Sequence, residues 1–323
     1  MLRRISEVWQ EKTQGFREAG TLLALTVMII CLAVLSDNFL TPFNLLNVMR
    51  QTAEVAVIAV GMTFLIICRQ FDLSVGSTFG LAAVFIGVLV RDLGFGMWPA
   101  FFCALLLGAL IGLINGLFIT RLKIPSFIAT LGMMGILRGA ALVLASGYPI
   151  SEFPESSYFD VFSLRLWNII PVQALWMVIV VIIGGYVLAR TVFGYEVYAT
   201  GSNERAAHLS GINTDSVQVK GFIITGVLSA FAGAMMMAHL GSATPLAGAG
   251  LELDVIAAVV IGGTALSGGV GSVLGTFLGA VIMAMLRNGL VLLGVSSYWQ
   301  VAAIGFVILV AVYIDTLTNK RGS

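Results

Sequence analysis

The chain has 323 residues, of which 59% are hydrophobic and only 10% are charged. A soluble domain carries roughly a quarter charged residues, so a surface wetted on all sides is excluded and lipid must serve as solvent. The net charge of +1 gives no reason to expect a nucleic-acid partner, and no polar linker divides the sequence, so we expect one membrane domain over 1–323.

In chain order, residues 1–18 are polar and of mixed charge, with Glu7, Glu11 and Glu18 among them. A secretory leader begins with a basic region and ends at a small-residue cleavage site; neither is present, and an uncleaved first helix is expected. A crossing helix needs about 20 apolar residues. Ten runs approach this, near 20–36, 51–68, 73–90, 98–120, 125–145, 171–190, 220–240, 253–267, 270–291 and 298–315. The eighth is short, and a re-entrant or broken helix competes there. A helix is retained because backbone at that depth must satisfy its own hydrogen bonds.

Lysine and arginine in the short loops set the orientation. With the N-terminus in the cytoplasm, twelve fall inside and four outside, the latter being Arg50, Arg91, Arg165 and Arg287. Both termini are therefore expected inside. Glu152, Glu155, Asp160, Glu252 and Asp254 then fall in outer loops. Two connections are long: an outer one over about 146–168, with Pro149 and Pro154, and a cytoplasmic one over about 191–219.

No lysine follows a glycine, so the chain has no phosphate-binding P-loop. Cys31, Cys68 and Cys103 lie singly in apolar runs, and His208 and His239 are far apart, so no metal site is expected. With no catalytic motif present, the energy for any pumping must come from another chain or from an ion gradient.

Glycines at spacing four point to close helix packing: Gly76 and Gly80, then Gly108, Gly112 and Gly116, then Gly271, Gly275 and Gly279. The stretches 73–77 and 268–272 echo each other, as do Asn115-Gly and Asn288-Gly, but at different offsets, so one internal repeat does not explain both. Charges within spans are costly and mark paths or partners. Glu54 is expected near the outer end of the second span, and Arg138 well inside the fifth, either snorkelling outward or facing a polar cavity. Asp72 suits an ion pair with Arg69 or a helix cap, and Asn115 and Asn288 suit interhelical hydrogen bonds. Glu54, Thr63, Asp72, Ser74, Asn115, Arg138, Thr264 and Asn288 are the candidate lining of a translocation path.

The cytoplasmic connection contains Asn203-Glu204-Arg205-Ala206-Ala207-His208-Leu209-Ser210-Gly211. Ser202 or Asn203 can cap a short helix there, Glu204 suits its first turn and Gly211 its end. Ala206, Ala207 and Leu209 are expected to give it a small apolar face for a partner, with Glu204 and Arg205 at the rim.

These residues resemble those of the ribose-type permeases of bacterial ABC importers. The resemblance covers essentially the whole chain. Its strongest stretches are Phe71-Asp-Leu-Ser-Val-Gly-Ser77, Phe127-Ile-Ala-Thr-Leu-Gly132 with Leu137-Arg-Gly139, the stretch 203–213, Gly250-Leu-Glu-Leu-Asp254 running into Ile261-Gly-Gly263, and Leu292-Leu-Gly-Val-Ser-Ser297. It implies an all-α permease of about ten transmembrane helices in the bacterial inner membrane. It further implies a second permease copy or paralogue, an ABC ATPase subunit that holds Mg-ATP, and a periplasmic substrate-binding protein. Asn203, Glu204, Arg205, Ala206, Ala207, Leu209 and Gly211 would form the ATPase-coupling segment, and the substrate would be a monosaccharide. Relatives of that type also move furanone signals, nucleosides and branched-chain amino acids. An ion-coupled secondary transporter is the alternative of a different class, though it would more usually place buried acids on several spans.

Overall fold

A computed structural model describes residues 2–166 and 169–320. The chain is almost wholly helical: α1 (Leu2–Leu35), α2 (Pro42–Ile67), α3 (Val75–Arg91), α4 (Met97–Thr120), α5 (Ser126–Leu144), α6 (Ser157–Ser163), α7 (Val172–Arg190), α8 (Val192–Ser202), α9 (Glu204–Leu209), α10 (Thr214–Leu240), α11 (Leu251–Ile261), α12 (Val273–Leu292) and α13 (Ser297–Lys320). A two-stranded antiparallel ribbon, β1 (Arg165–Leu166) with β2 (Ile170–Pro171), precedes α7. Its tip, like Arg321 near the C-terminus, lies outside the described residues. By length and composition α2, α4, α5, α7, α10 and α12 can each cross a membrane, and α1, α3 and α13 carry shorter apolar stretches.

Local chemistry explains the helix boundaries. Thr41 caps α2 by accepting from the Asn44 amide at 3.4 Å, with Pro42 in the first turn, where its missing N–H costs nothing. Ser272 caps α12 through the Gly275 amide at 2.9 Å. Gly241 ends α10 in the left-handed conformation, φ 61°.

α10 lies at the centre, packed along α4, α2 and α3. Glycine brings backbones together there: a Cβ at Gly112 would overlap the Phe222 carbonyl of α10, and one at Gly108 would overlap that of Gly226. Gly116 lies against Val219 in the same seam. A second seam joins α11 to α12, where Gly275 meets the Gly262 carbonyl and Gly279 that of Ala258. Gly271 lies against Thr264 and Ile67.

One end of the bundle is closed by aromatic packing. Trp98, Phe101, Tyr158, Phe162, Trp176 and Phe231 stack in tilted and edge-on pairs with centroids 5.0–6.2 Å apart. Tyr158 donates to the Ala234 carbonyl at 2.7 Å, which ties α6 to α10. Burial holds its hydroxyl pKa well above the usual tyrosine range.

From Leu2 onward the polar segment 1–18 is continuous with the first apolar helix. Several sequence expectations are corrected. The eighth run is not a crossing helix. α11 has 11 residues, a rise of about 16 Å, and an irregular strap, 241–250, leads into it. Ala243 pairs with Ile150 through bonds of 2.9 and 2.8 Å beside Gly87. Farther along, the Ala247 carbonyl covers Gly80 and the Gly248 carbonyl covers Gly76. The strap thus descends α3 by about 16 Å before α11 begins. Gly76 and Gly80 therefore seat this strap rather than another helix. Glu252 and Asp254 are not on an outer loop but on α11, where Asp254 is 4% exposed and pairs with Arg287 of α12 at 2.5 Å. Arg287 is accordingly not a free loop charge.

Candidate functional site

At the end of the bundle opposite the aromatic cluster, the connection 191–219 is mostly ordered helix rather than loop. Thr191 caps α8 through the Gly194 amide at 3.2 Å. Asn203 then caps α9 by accepting from the Ala206 amide at 3.0 Å, and Asn213 caps α10 through the Ser216 amide at 3.0 Å. Between them Gly211 takes φ 89°, a left-handed turn that disfavours any residue with a Cβ. Six residues would not hold a helix alone, and α9 is fixed from within the chain. Gln218 donates to Glu204 at 3.0 Å, and Ala207 is buried.

The outward face of α9 differs from the expected one at one residue, with Ala206 exposed and Ala207 not. Ala207 points into the chain and is unavailable to a partner. Arg205, His208 and Leu209 face out, with Leu209 80% exposed. They border an open groove of about 1100 Å³ between α9, the start of α10 and the α4–α5 turn. Arg121, Lys123, Arg205 and Lys220 line it, against Glu204 and Asp215, so the groove is basic. Lys123 and Asp215 pair across it at 3.5 Å.

α8 ties this end to two turns deeper in the bundle. Tyr198 donates to the Gly271 carbonyl at 2.7 Å, and Arg69, in a left-handed turn of φ 62°, donates to the Ser202 carbonyl at 3.0 Å. The Gly269 amide donates to the Ile67 carbonyl at 2.9 Å. Gly201 seats directly on that carbonyl, leaving no room for a Cβ. The α2–α3 turn, the α11–α12 turn and α8 thus meet at one point.

Several of the proposed path residues are engaged in buried hydrogen bonds. Asp72 closes the turn before α3 rather than pairing with Arg69, whose guanidinium donates to the Ser202 carbonyl. Its carboxylate accepts from the Ser74 amide at 2.8 Å, the Ser74 hydroxyl at 2.6 Å and Asn115 at 3.4 Å. Thr63 and Thr276 share a hydrogen bond of 2.7 Å between α2 and α12. Asn288 and Asn44 exchange bonds of 2.7 and 2.9 Å. Thr63, Ser74 and Thr264 are all buried within the protomer. Glu54 pairs with Arg50 one turn away at 3.4 Å and is part-exposed. Arg138 neither snorkels nor stands free: its guanidinium donates to the carbonyls of Pro245 and Ala247 at 2.9 and 2.7 Å.

Sequence reasoning missed α8 as a helix and the strap with its anchor. The strap had a signal in Pro245, Gly248 and Gly250 within six residues, a density of breakers no crossing helix tolerates. The complementary charges of Asp254 and Arg287 were also visible, but their pairing depends on the half-length of α11.

The family described as "Branched-chain amino acid transport system / permease component" matches residues 44–312. The chain belongs to this permease family. Among its relatives, the ribose import permease protein RbsC of Bacillus subtilis is 43% identical over 303 residues, 93% of this chain and 92% of the relative. RbsC of Escherichia coli K12 is 43% identical over 310 residues, 94% of each chain. The autoinducer 2 import system permease protein LsrC of Photorhabdus luminescens is 36% identical over 303 residues, 94% of this chain and 90% of the relative. The chain is a multi-pass membrane permease of a transport system, and the apolar helices and glycine seams described above are its membrane body.

Proposed function

We propose that the chain is the permease subunit of an ABC importer in the bacterial inner membrane, carrying a monosaccharide into the cytoplasm. The observation that carries the reading is the α8–α9 unit, an anchored pair of short helices that presents Arg205, His208 and Leu209 beside a basic groove. A partner ATPase holding Mg-ATP would dock there. Movement of α9 would pass through α8 to the turns that begin α3 and α12, because Arg69, Ile67, Gly269 and Gly271 hold those turns to α8 and to each other. Force crosses only through contact, and these are the contacts.

In this reading the α9 end is cytoplasmic, which agrees with the lysine and arginine bias. Strap and α11 together make one passage, so both termini lie on the cytoplasmic side. Two permease copies would enclose the path, and a periplasmic binding protein would supply affinity and deliver the solute. The names of the relatives favour a sugar, with ribose first and a furanone-type signal second.

The experiment is reconstitution in proteoliposomes with the cognate ATPase and binding protein. ATP-dependent uptake of labelled D-ribose, absent without either partner, is the expected result. Uptake driven by an ion gradient with no ATPase present would overturn the reading.

A further inference from the structure

Packing alone does not account for three polar side chains beside the strap. Arg138 stands twelve residues beyond Ser126, about 18 Å along α5. It is only part-buried, and the helix face around it is open: Gly132, Gly135 and Gly139 have no neighbour over their Cβ positions. Both of its hydrogen bonds use Nη1. Among the described residues, Nη2 and Nε therefore remain for a further acceptor. Glu252 lies in the first turn of α11, and its Oε2 lies over Gly76 without a hydrogen-bond partner among the described residues. Ser77 is 1% exposed and its hydroxyl has no partner among the described residues. Ser77 precedes Gly80 by three residues and so shares the side of α3 where Gly80 meets Arg138. Buried polar groups without partners are rare in native structures, and a part-exposed charge between the ends of a span is costly against lipid. Here both occur together, where a half-helix begins inside the bundle.

We propose that Arg138, Glu252 and Ser77 form a hydroxyl-binding subsite on the translocation path, where α3, α5 and α11 meet. The ligand class is a small, neutral, polyhydroxylated solute. Arg138 donates to its oxygens, Glu252 accepts from its hydroxyls, and Ser77 can do either. The charges of Arg138 and Glu252 cancel, which suits an uncharged solute. This subsite rests on the reading of the chain as a monosaccharide importer and gives that reading a location.

The test uses the full permease–ATPase complex with its binding protein in proteoliposomes, with D-ribose as probe. Glu252→Gln keeps the size of the side chain and removes the charge; Ser77→Ala removes only the hydroxyl. Each should lower initial uptake at least fivefold while complex assembly and stimulated ATP hydrolysis stay within twofold of the parent. Uptake within twofold of the parent in both variants overturns the subsite. Glu252→Cys, in a chain with its native cysteines replaced, provides the second measurement. A water-soluble methanethiosulfonate should modify it during turnover. Labelling by a lipid-soluble maleimide alone overturns the subsite even where the other variants fail to assemble. Failure of the parent complex to take up D-ribose counts against the substrate reading, and the cysteine labelling then decides whether an aqueous path passes Glu252.

Discussion

Asn44 and Asn288 hold each other across the start of α2 and the end of α12, each amide donating to the other's carbonyl oxygen, at 2.9 and 2.7 Å. Their separation in sequence is 244 residues, so this pair fastens the two ends of the permease body together. Within lipid neither amide finds water, and losing one partner orphans the other. Asn288→Leu should destabilise the folded protein by about 1–2 kcal/mol, as interhelical hydrogen bonds in membranes typically do. Unfolding in mixed micelles, run as a double-mutant cycle with Asn44→Leu, checks this. Additive losses would show that the pair does not interact.

The seam between α4 and α10 has no room for a side chain at Gly112. Gly112→Val must push two helix backbones apart, and overpacking of this kind costs about 3 kcal/mol or less when the neighbours can shift. Backbone cannot, so the expected outcome is a sharp fall in folded yield and in thermal midpoint in detergent. Gly132→Val should leave both unchanged, because nothing lies over its Cβ. Equal behaviour of the two variants would contradict the seam.

Substitutions in α9 should separate into two kinds. Ala207→Glu places a charge at a site 5% exposed, and Gly211→Val forces a β-branched residue into φ 89°; both should disorder α9 itself. Leu209→Glu changes only the outward face. It should leave trypsin resistance of the connection intact while ATPase co-purification falls at least tenfold. Retention of the ATPase by Leu209→Glu would remove this face as the docking surface.

Sidedness is checked with single cysteines in a chain lacking Cys31, Cys68 and Cys103. Glu155→Cys, in the connection before α6, should react with an impermeant maleimide added to intact cells. Leu209→Cys should react only after permeabilisation. Reaction of both from outside would overturn the orientation drawn from the lysine and arginine bias.

The bulk of the architecture is legible in the sequence because lipid imposes it. Long apolar runs such as 98–120 and 171–190 coincide with α4 and α7 almost to the residue. The Asn203 cap and the Gly211 turn were legible too, since each depends on neighbours a few residues away. What escaped depends on distant partners. Ala207 looks like a surface residue until the fold buries it. The eighth run has enough apolar residues for a short helix, and hydropathy registers neither that the helix stops at Ile261 nor that the strap leading into it is seated on α3. The hydroxyls of Thr63 and Ser74 bond to Thr276 and Asp72, partners that no local pattern in the sequence names.

The strap meets α3 through its own main chain, with the carbonyls of Ala247 and Gly248 resting on Gly80 and Gly76. Apart from Gly248, where a Cβ would strike the Gly76 carbonyl, such a seat does not depend on which side chains the strap carries. Leu246, 59% exposed, can be exchanged for residues of different size or polarity while the strap keeps its course. A permease built this way can accept drift at its exposed strap positions without first evolving a compensating change in its scaffold.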